Sequence, residues 1–154
     1  GLLPMAPGTW GSFAALFLFF GLIYVQISFL LYFLLFIFFS IASIIICEIA
    51  SSDLVEKDHK SIVIDEVAGA GLSFLFIPLL GIYNFSTLEW QKESYLAALI
   101  LIILFRFFDI LKPNPISFID KRFKSGFGIV LDDLVAGVFA GLTLLGGNFF
   151  FQIF

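Results

Sequence analysis

The sequence contains little charge. Asp, Glu, Lys and Arg make up only 13% of its 154 residues, whereas roughly 25% is typical of soluble globular domains. Hydrophobic residues account for 61% of the chain, and 23 residues are phenylalanine. This composition argues against a soluble domain and predicts an integral membrane protein. The length is that of a single domain, residues 1–154.

Cysteine and basic clusters are equally scarce. The single cysteine, Cys47, excludes an internal disulfide and a paired-cysteine metal site. It lies in an apolar run, where the surroundings disfavour the thiolate that a nucleophile needs. The chain has no long basic run, so nucleic acid is not an expected partner. It also has no DxDxT run, so the haloacid-dehalogenase route to phosphatase chemistry is not supported.

Long apolar stretches dominate the remainder of the chain. A helix needs about 20 apolar residues to cross a hydrocarbon core of roughly 30 Å. Length and hydropathy therefore predict about five crossing helices, and so an all-α, multi-pass membrane protein. The predicted segments are Phe13–Val25, Ile27–Cys47, Val67–Tyr83, Tyr95–Leu111 and Leu134–Phe154, and residues 1–12, 48–63, 84–94 and 112–130 are predicted loops.

Basic residues fall unequally on the two sides of such a protein. With five crossings, residues 1–12 and the loops 48–63 and 112–130 share one side. That side carries most of the Lys and Arg residues, whereas the other side carries only Lys92. Because cytoplasmic loops are enriched in Lys and Arg, the first side is predicted to be cytoplasmic. On the other side, Trp90 is expected to be an interfacial anchor.

Polar residues that flank the apolar segments gather on the predicted cytoplasmic side. Arg106, Asp109 and Lys112 close the fourth segment, and Pro113 is expected to end that helix near Lys112. Charges at the end of an apolar helix are costly unless they are paired or functional. A structural ion pair of Arg106 with Asp109 is the simpler alternative. The flanking set comprises Thr9, Ser12, Glu48, Asp65, Glu66, Arg106, Asp109, Lys112, Asp132 and Asp133.

This set has the chemistry of a metal and phosphate site. Arg106 and Lys112 offer donors for phosphate oxygens. The glycine-rich stretches 7–12 and 125–128 are expected to present backbone N–H groups to an anion ahead of a helix. Acids from three segments offer the oxygen ligands that a hard cation such as Mg²⁺ prefers. These acids are Asp65, Glu66, Asp109, Asp132 and Asp133.

Two adjacent acid pairs, Asp65-Glu66 and Asp132-Asp133, are the centre of this prediction. Capping a helix N-terminus explains one acid of each pair and leaves the other over. The stretch 65–69 also resembles 133–137, since in both an acid is followed by alanine and glycine. Small residues allow two helices to approach closely. The third and fifth segments are therefore predicted to be neighbours.

Each of three further candidate residues has a structural interpretation as well as a functional one. Thr9 and Ser12 either cap a helix or bind a ligand. His59 lies in a polar loop and is either a solvated histidine or, with Asp58, an acid–base pair near Asp65.

Four sequence blocks resemble the phosphatidylglycerophosphatase A family in order and spacing, over nearly the whole chain. They are Ala6–Ser12, Asp58–Glu66, Phe105–Ile116 followed by Asp120, and Gly126–Gly137. The resemblance implies a bacterial inner-membrane enzyme with its active site facing the cytoplasm. It implies that Mg²⁺ is the cofactor, and that the terminal phosphate of phosphatidylglycerophosphate is removed to give phosphatidylglycerol. The implied partners are this phospholipid and the membrane lipids, and the oligomeric state stays open.

The resemblance also implies roles for individual residues. The implied catalytic residues are Asp65, Asp109 and Asp133. The implied metal ligands are Asp65, Glu66, Asp109, Asp132 and Asp133. The residues expected on the substrate are Arg106, Lys112, Thr9, Ser12 and His59. Attack by water and attack by an aspartate both remain open.

Two other functions were weighed against this one. A lipid phosphotransferase that uses a metal and a CDP-alcohol shows a run of the type D-G-x-x-A-R, which the stretch 133–137 does not match. A cation transporter places acids near the bilayer midplane at broken helices, whereas these acids flank one side of the membrane. Both alternatives are disfavoured.

Overall fold

A computed structural model describes residues 7–52, 63–123 and 125–154. This part of the chain is mostly helical, which confirms the predicted helical content. Its helices are α1 (Pro7–Tyr24), α2 (Phe29–Ser52), α3 (Ile64–Phe74), α4 (Glu93–Leu111), α5 (Ile116–Arg122) and α6 (Gly126–Phe151), with a 3-10 helix at Ile77–Leu80 and an antiparallel hairpin of β1 (Tyr83–Asn84) and β2 (Glu89–Trp90).

Three of these helices are long and apolar enough to cross a membrane. The candidate spans are Phe29–Ala50, Glu93–Leu111 and Gly126–Phe151. The first helix, α1, contributes a shorter apolar stretch, Gly8–Tyr24. The predicted count of about five spans is therefore not confirmed.

The prediction that Val67–Tyr83 forms a single crossing helix is wrong. Its helical part, α3, has 11 residues, or about 16 Å at 1.5 Å per residue, which is roughly half of a hydrocarbon core. Pro78 lies at the start of the 3-10 helix, where its missing N–H group is tolerated. Gly81, with φ of 81°, then ends that helix in the left-handed conformation.

The hairpin that follows covers the turn between α1 and α2. The Trp90 indole donates a hydrogen bond to the carbonyl of Ile27, and the Trp90 backbone N–H donates to the side chain of Gln26. The Trp90 ring is buried and packs edge-on against Phe19 and Tyr83. Trp90 is therefore a core residue of the hairpin, and its ring packs inside the protein instead of lying open at the surface.

Two predicted loops are partly helical. Residues 7–12, expected in a loop, form the first turns of α1, because proline is well suited to a first helical position. The loop 112–130 contains α5 and the start of α6. Ser125 caps α6, and its hydroxyl accepts a hydrogen bond from the Gly128 N–H. The fifth segment thus begins well before Leu134, and Asp132 and Asp133 lie inside the helix.

The helices α3 and α6 cross in direct backbone contact. A Cβ added at Gly69 would lie 2.6 Å from the Asp133 carbonyl oxygen, and one added at Gly137 would overlap the Gly69 carbonyl oxygen. Ala68 and Ala136, next to these glycines, are fully buried. The predicted contact between these two segments is confirmed, and it brings the start of α3 against the first turns of α6.

This crossing predicts a position-specific effect of alanine on α6. Gly137→Ala is expected to lower the melting temperature of the purified protein by several degrees, because its Cβ would push α6 away from α3. Gly146→Ala is the matched control, since a Cβ at Gly146 meets nothing within 4 Å. It should be neutral or slightly stabilising, as alanine is the better helix former. Equal melting temperatures for the two variants would contradict the close crossing.

Candidate active site

Three carboxylates from two helices meet where α3 crosses α6. Asp65 and Glu66 occupy the first turn of α3, and Asp133 comes from α6. Each offers an oxygen atom, and these atoms all lie within 4.8 Å of one another. Asp65 and Asp133 are buried, with 8% and 5% of their surface exposed. We call Asp65, Glu66 and Asp133 the acid trio.

Two carboxylate oxygens of the acid trio are unpaired among the described residues. Asp65 Oδ1 and Glu66 Oε2 are both buried and have no hydrogen-bond partner in the described part of the chain. Buried carboxylates repel one another, and an unpaired buried charge is costly. A divalent cation would satisfy these lone pairs and remove the repulsion, so the donor set fits Mg²⁺, which binds through carboxylates together with water and substrate phosphate.

The first turn of α1 forms the wall beside the trio. A Cβ at Gly8 would overlap Glu66 Oε1 and would lie 2.9 Å from Arg106 Nη1. At Gly11 a Cβ would lie 2.8 Å from the Val63 carbonyl oxygen. Gly11 is therefore needed for α1 to approach this closely, whereas a Cβ at Gly8 would require the flexible ends of Glu66 and Arg106 to shift. The sequence predicted that the glycines of the stretch 7–12 form an anion-binding loop. In the structure, they lie in α1 and allow it to pack close to α3.

The two hydroxyl residues of this turn are placed differently. Ser12 is fully buried, and its hydroxyl donates a 3.0 Å hydrogen bond to the Gly8 carbonyl within α1. Thr9 is half-buried, one residue after Gly8. Their substrate-binding roles stay predictions. His59 and Asp58 lie outside the described residues.

Arg106 lies near the trio on the last turns of α4. Its Nη1 donates to Asp109 Oδ2 at 2.5 Å, one helical turn away, so the ion pair that the sequence offered as the simpler alternative is present. Its Nε is buried and has no partner among the described residues. A buried guanidinium N–H without an acceptor is suited to an anionic ligand oxygen. Asp109 thus fixes Arg106, and the buried Nε–H of Arg106 is left without an acceptor among the described residues.

Lys112 is held in a separate ion-pair network. As expected, α4 ends just before it, and Lys112 caps the helix in the left-handed conformation with φ of 43°. Its Nζ donates to Asp132 Oδ2 at 2.8 Å and to Asp120 Oδ1 at 2.9 Å. Burial lowers the pKa of Lys112, but the hydrogen bonds to Asp132 and Asp120 outweigh it and hold the pKa above its usual value.

This network separates the second acid pair. Asp133 joins the acid trio, whereas its neighbour Asp132 faces Lys112. Two of the three ammonium hydrogens of Lys112 are therefore already used. Asp120 was not among the predicted site residues. Its position one turn after Ile116 on a short helix gave no hydropathy signal, and only its place beside the resembling block 105–116 pointed to it.

The glycine-rich stretch 125–128 is not the open anion cradle that the sequence suggested. The Gly126 N–H donates to Glu48 Oε2 and the Gly128 N–H donates to Ser125. A Cβ at Gly126 would also collide with the backbone of Glu48. These residues dock the start of α6 against the end of α2.

Comparison with known proteins identifies the family of this chain. Residues 1–148 match the family model described as Phosphatidylglycerophosphatase A. The protein of that name from Haemophilus influenzae is 38% identical over 145 residues, which cover 94% of this chain and 80% of that protein. The one from Escherichia coli is 34% identical over 149 residues, 96% of this chain and 78% of that protein.

A third relative has a different name. A Bacteroides thetaiotaomicron protein, provisionally named a phosphatidylinositol-3-phosphatase, is 31% identical over 151 residues, 94% of this chain and 84% of that protein. No solved structure matches the chain. From the family match over residues 1–148 and the two relatives of the same name, the chain belongs to the phosphatidylglycerophosphatase A family of phosphatases.

Proposed function

We propose that this protein hydrolyses the terminal phosphate of phosphatidylglycerophosphate, giving phosphatidylglycerol and inorganic phosphate. The observation that carries the proposal is the acid trio beside a buried arginine with a free donor, in a chain of this family. Carboxylates and an arginine are the groups that metal-assisted phosphoryl transfer needs.

Asp65, Glu66 and Asp133 would hold Mg²⁺. Their unpartnered buried oxygens support this assignment. When bound, such an ion supplies Lewis-acid polarisation of the phosphoryl group. Asp109 and Asp132, predicted as further ligands, contact Arg106 and Lys112 respectively. We propose that these two acids act mainly by positioning those cations.

Arg106 binds the phosphoryl oxygens in this proposal. Its buried Nε would donate to an oxygen whose negative charge grows as the bond to the leaving group breaks. Asp109 holds the guanidinium in place. Water attacks phosphorus, the bond from phosphorus to the glycerol oxygen breaks, and that oxygen receives a proton. Asp65 or Asp133 orients the water, or one of them attacks directly and the acyl phosphate is then hydrolysed.

The lipid would reach this site from the bilayer. Three helices are long and apolar enough to cross a membrane, and two members of the trio lie at the start of α3. In this proposal the acyl chains stay in the membrane while the headgroup meets the acids. We propose that α1 and α3 are membrane-embedded too, that the protein resides in a bacterial inner membrane, and that the trio faces the cytoplasm, following the distribution of Lys and Arg.

Phosphate release from defined lipids tests this function. In detergent with Mg²⁺, the protein is expected to release phosphate from phosphatidylglycerophosphate at least tenfold faster than from phosphatidic acid or phosphatidylinositol 3-phosphate. Excess EDTA should abolish release, and added Mg²⁺ should restore it. Activity that survives complete chelation would refute the metal assignment. A preference for phosphatidylinositol 3-phosphate would place this chain with its Bacteroides relative in substrate choice.

A further inference from the structure

The short helix α5 has two different faces. Towards the protein it buries Ile116 and presents Asp120 to Lys112. Its opposite face forms a shallow cavity of about 310 Å³. The lining residues are Asn114, Ser117, Phe118, Lys121 and Arg122, which recur at helical spacing. This cavity is separate from the acid trio, and no catalytic role uses it.

The cavity carries uncompensated positive charge. Lys121 and Arg122 are exposed, and neither forms an ion pair with any residue that the structure describes. The nearest acid in sequence, Asp120, already accepts a hydrogen bond from Lys112. Asn114 and Ser117 add neutral hydrogen-bonding groups to the rim. The chemistry of the cavity therefore matches an anion with several oxygen acceptors.

The surroundings of the cavity indicate a lipid. Phe118, which lines it, is 59% exposed, and Phe123 and Phe127 just beyond α5 are 43% and 50% exposed. The segment lies between the last residue of α4 and the first residue of α6, both candidate spans, and so at a membrane boundary. Exposed aromatics beside cations at that depth suit a ligand with a charged head and an apolar tail.

We propose that the α5 cavity, lined by Lys121 and Arg122, binds the headgroup phosphate of an anionic bilayer phospholipid, distinct from the substrate at the acid trio. The phosphate would be held by the two cations and the polar rim, with the acyl chains beside Phe118. The proposal does not depend on the hydrolysis proposed above, because it concerns a lipid that the protein does not cleave.

Native mass spectrometry of the detergent-purified protein tests this site. The probes are dioleoyl phosphatidylglycerol and dioleoyl phosphatidylcholine, which share acyl chains and differ in net charge, with EDTA present so that the acid trio repels anions. Wild type is expected to bind the first at least tenfold more tightly than the second. The double variant Lys121→Gln/Arg122→Gln should abolish this preference. The charge-conserving variant Lys121→Arg/Arg122→Lys should retain it. The control Lys92→Gln, which removes an exposed cation ahead of α4, should leave the preference unchanged.

Three outcomes would overturn the proposal. Equal binding of the two lipids by wild type would show that apolar contacts alone hold the lipid. A preference unchanged in the glutamine variant would place the anionic lipid elsewhere. Displacement of the lipid by inorganic phosphate alone would indicate a site for a free anion. Both substituted side chains are exposed, so circular dichroism should show wild-type folding, and phosphate release measured separately reports on the acid trio.

Discussion

Asp133→Asn is expected to lower phosphate release at least about a hundredfold, the scale of losing one electrostatic contact in a water-excluded site. The asparagine side chain has nearly the same shape but lacks the charge that a divalent cation needs. Asp65→Asn should behave in the same way, since both residues contribute oxygens to the trio. Asp109→Asn should also lose most of its turnover, because Arg106 would lose its anchor.

Stability distinguishes a metal site from a structural role. In EDTA, Asp133→Asn should raise the melting temperature, because it relieves repulsion among three buried carboxylates. With Mg²⁺, wild type should gain more stability than the variant, since a cation that binds only the folded state stabilises it. Glu89→Gln, at an exposed acid in the hairpin, should change neither property. Near-wild-type turnover of Asp133→Asn would refute the site.

Lys112→Met is expected to be the most destabilising exchange at the membrane boundary. It removes a partner of Asp132, which is 5% exposed, and one partner of Asp120. Removing one partner of a fully buried ion pair costs about 3–5 kcal/mol, and because the Lys112 side chain is 30% exposed, the expected loss lies below that range. The melting temperature and the phosphate-release rate of the purified variant measure the effect.

A second exchange separates the structural role of Lys112 from direct substrate binding. If Lys112 mainly neutralises Asp132, then Lys112→Met/Asp132→Leu should recover most of the lost stability, since both buried charges are gone. If Lys112 instead supplies a phosphate donor, the single variant should keep its stability and raise KM. The Lys92→Met variant, at an exposed cation ahead of α4, is the control. Loss of stability that the double variant does not recover would contradict the ion-pair role.

The sequence predicted the contents of the site better than its geometry. Acids at the ends of apolar segments, and the echo of 65–69 in 133–137, were enough to expect α3 beside α6. Hydropathy could not distinguish Asp132 from Asp133, because adjacent helical residues point about 100° apart and only the helix phase decides which one meets Asp65. The close contact between Gly137 and the Gly69 backbone sets that phase.

The boundaries of the helices were harder to predict. Glycine-rich stretches such as 7–12 and 125–128 are typical of loops, yet here they start helices, because missing side chains let α1 and α6 pack against other backbones. The short helix α3 was hidden inside the apolar run Val67–Tyr83, since a hydropathy average does not register the break at Pro78. Long apolar runs such as α2 and α4 were predictable because composition alone determines them.

The contact between Gly69 and Gly137 also bears on the order in which the enzyme matures. A chain emerges from the ribosome beginning at its N-terminus, so Asp65 and Glu66 are synthesised before Asp133. Until α6 docks on α3, the chain has two members of the trio and no helix crossing to bring in the third. A chain in which α6 has not yet docked on α3 therefore has no complete acid trio.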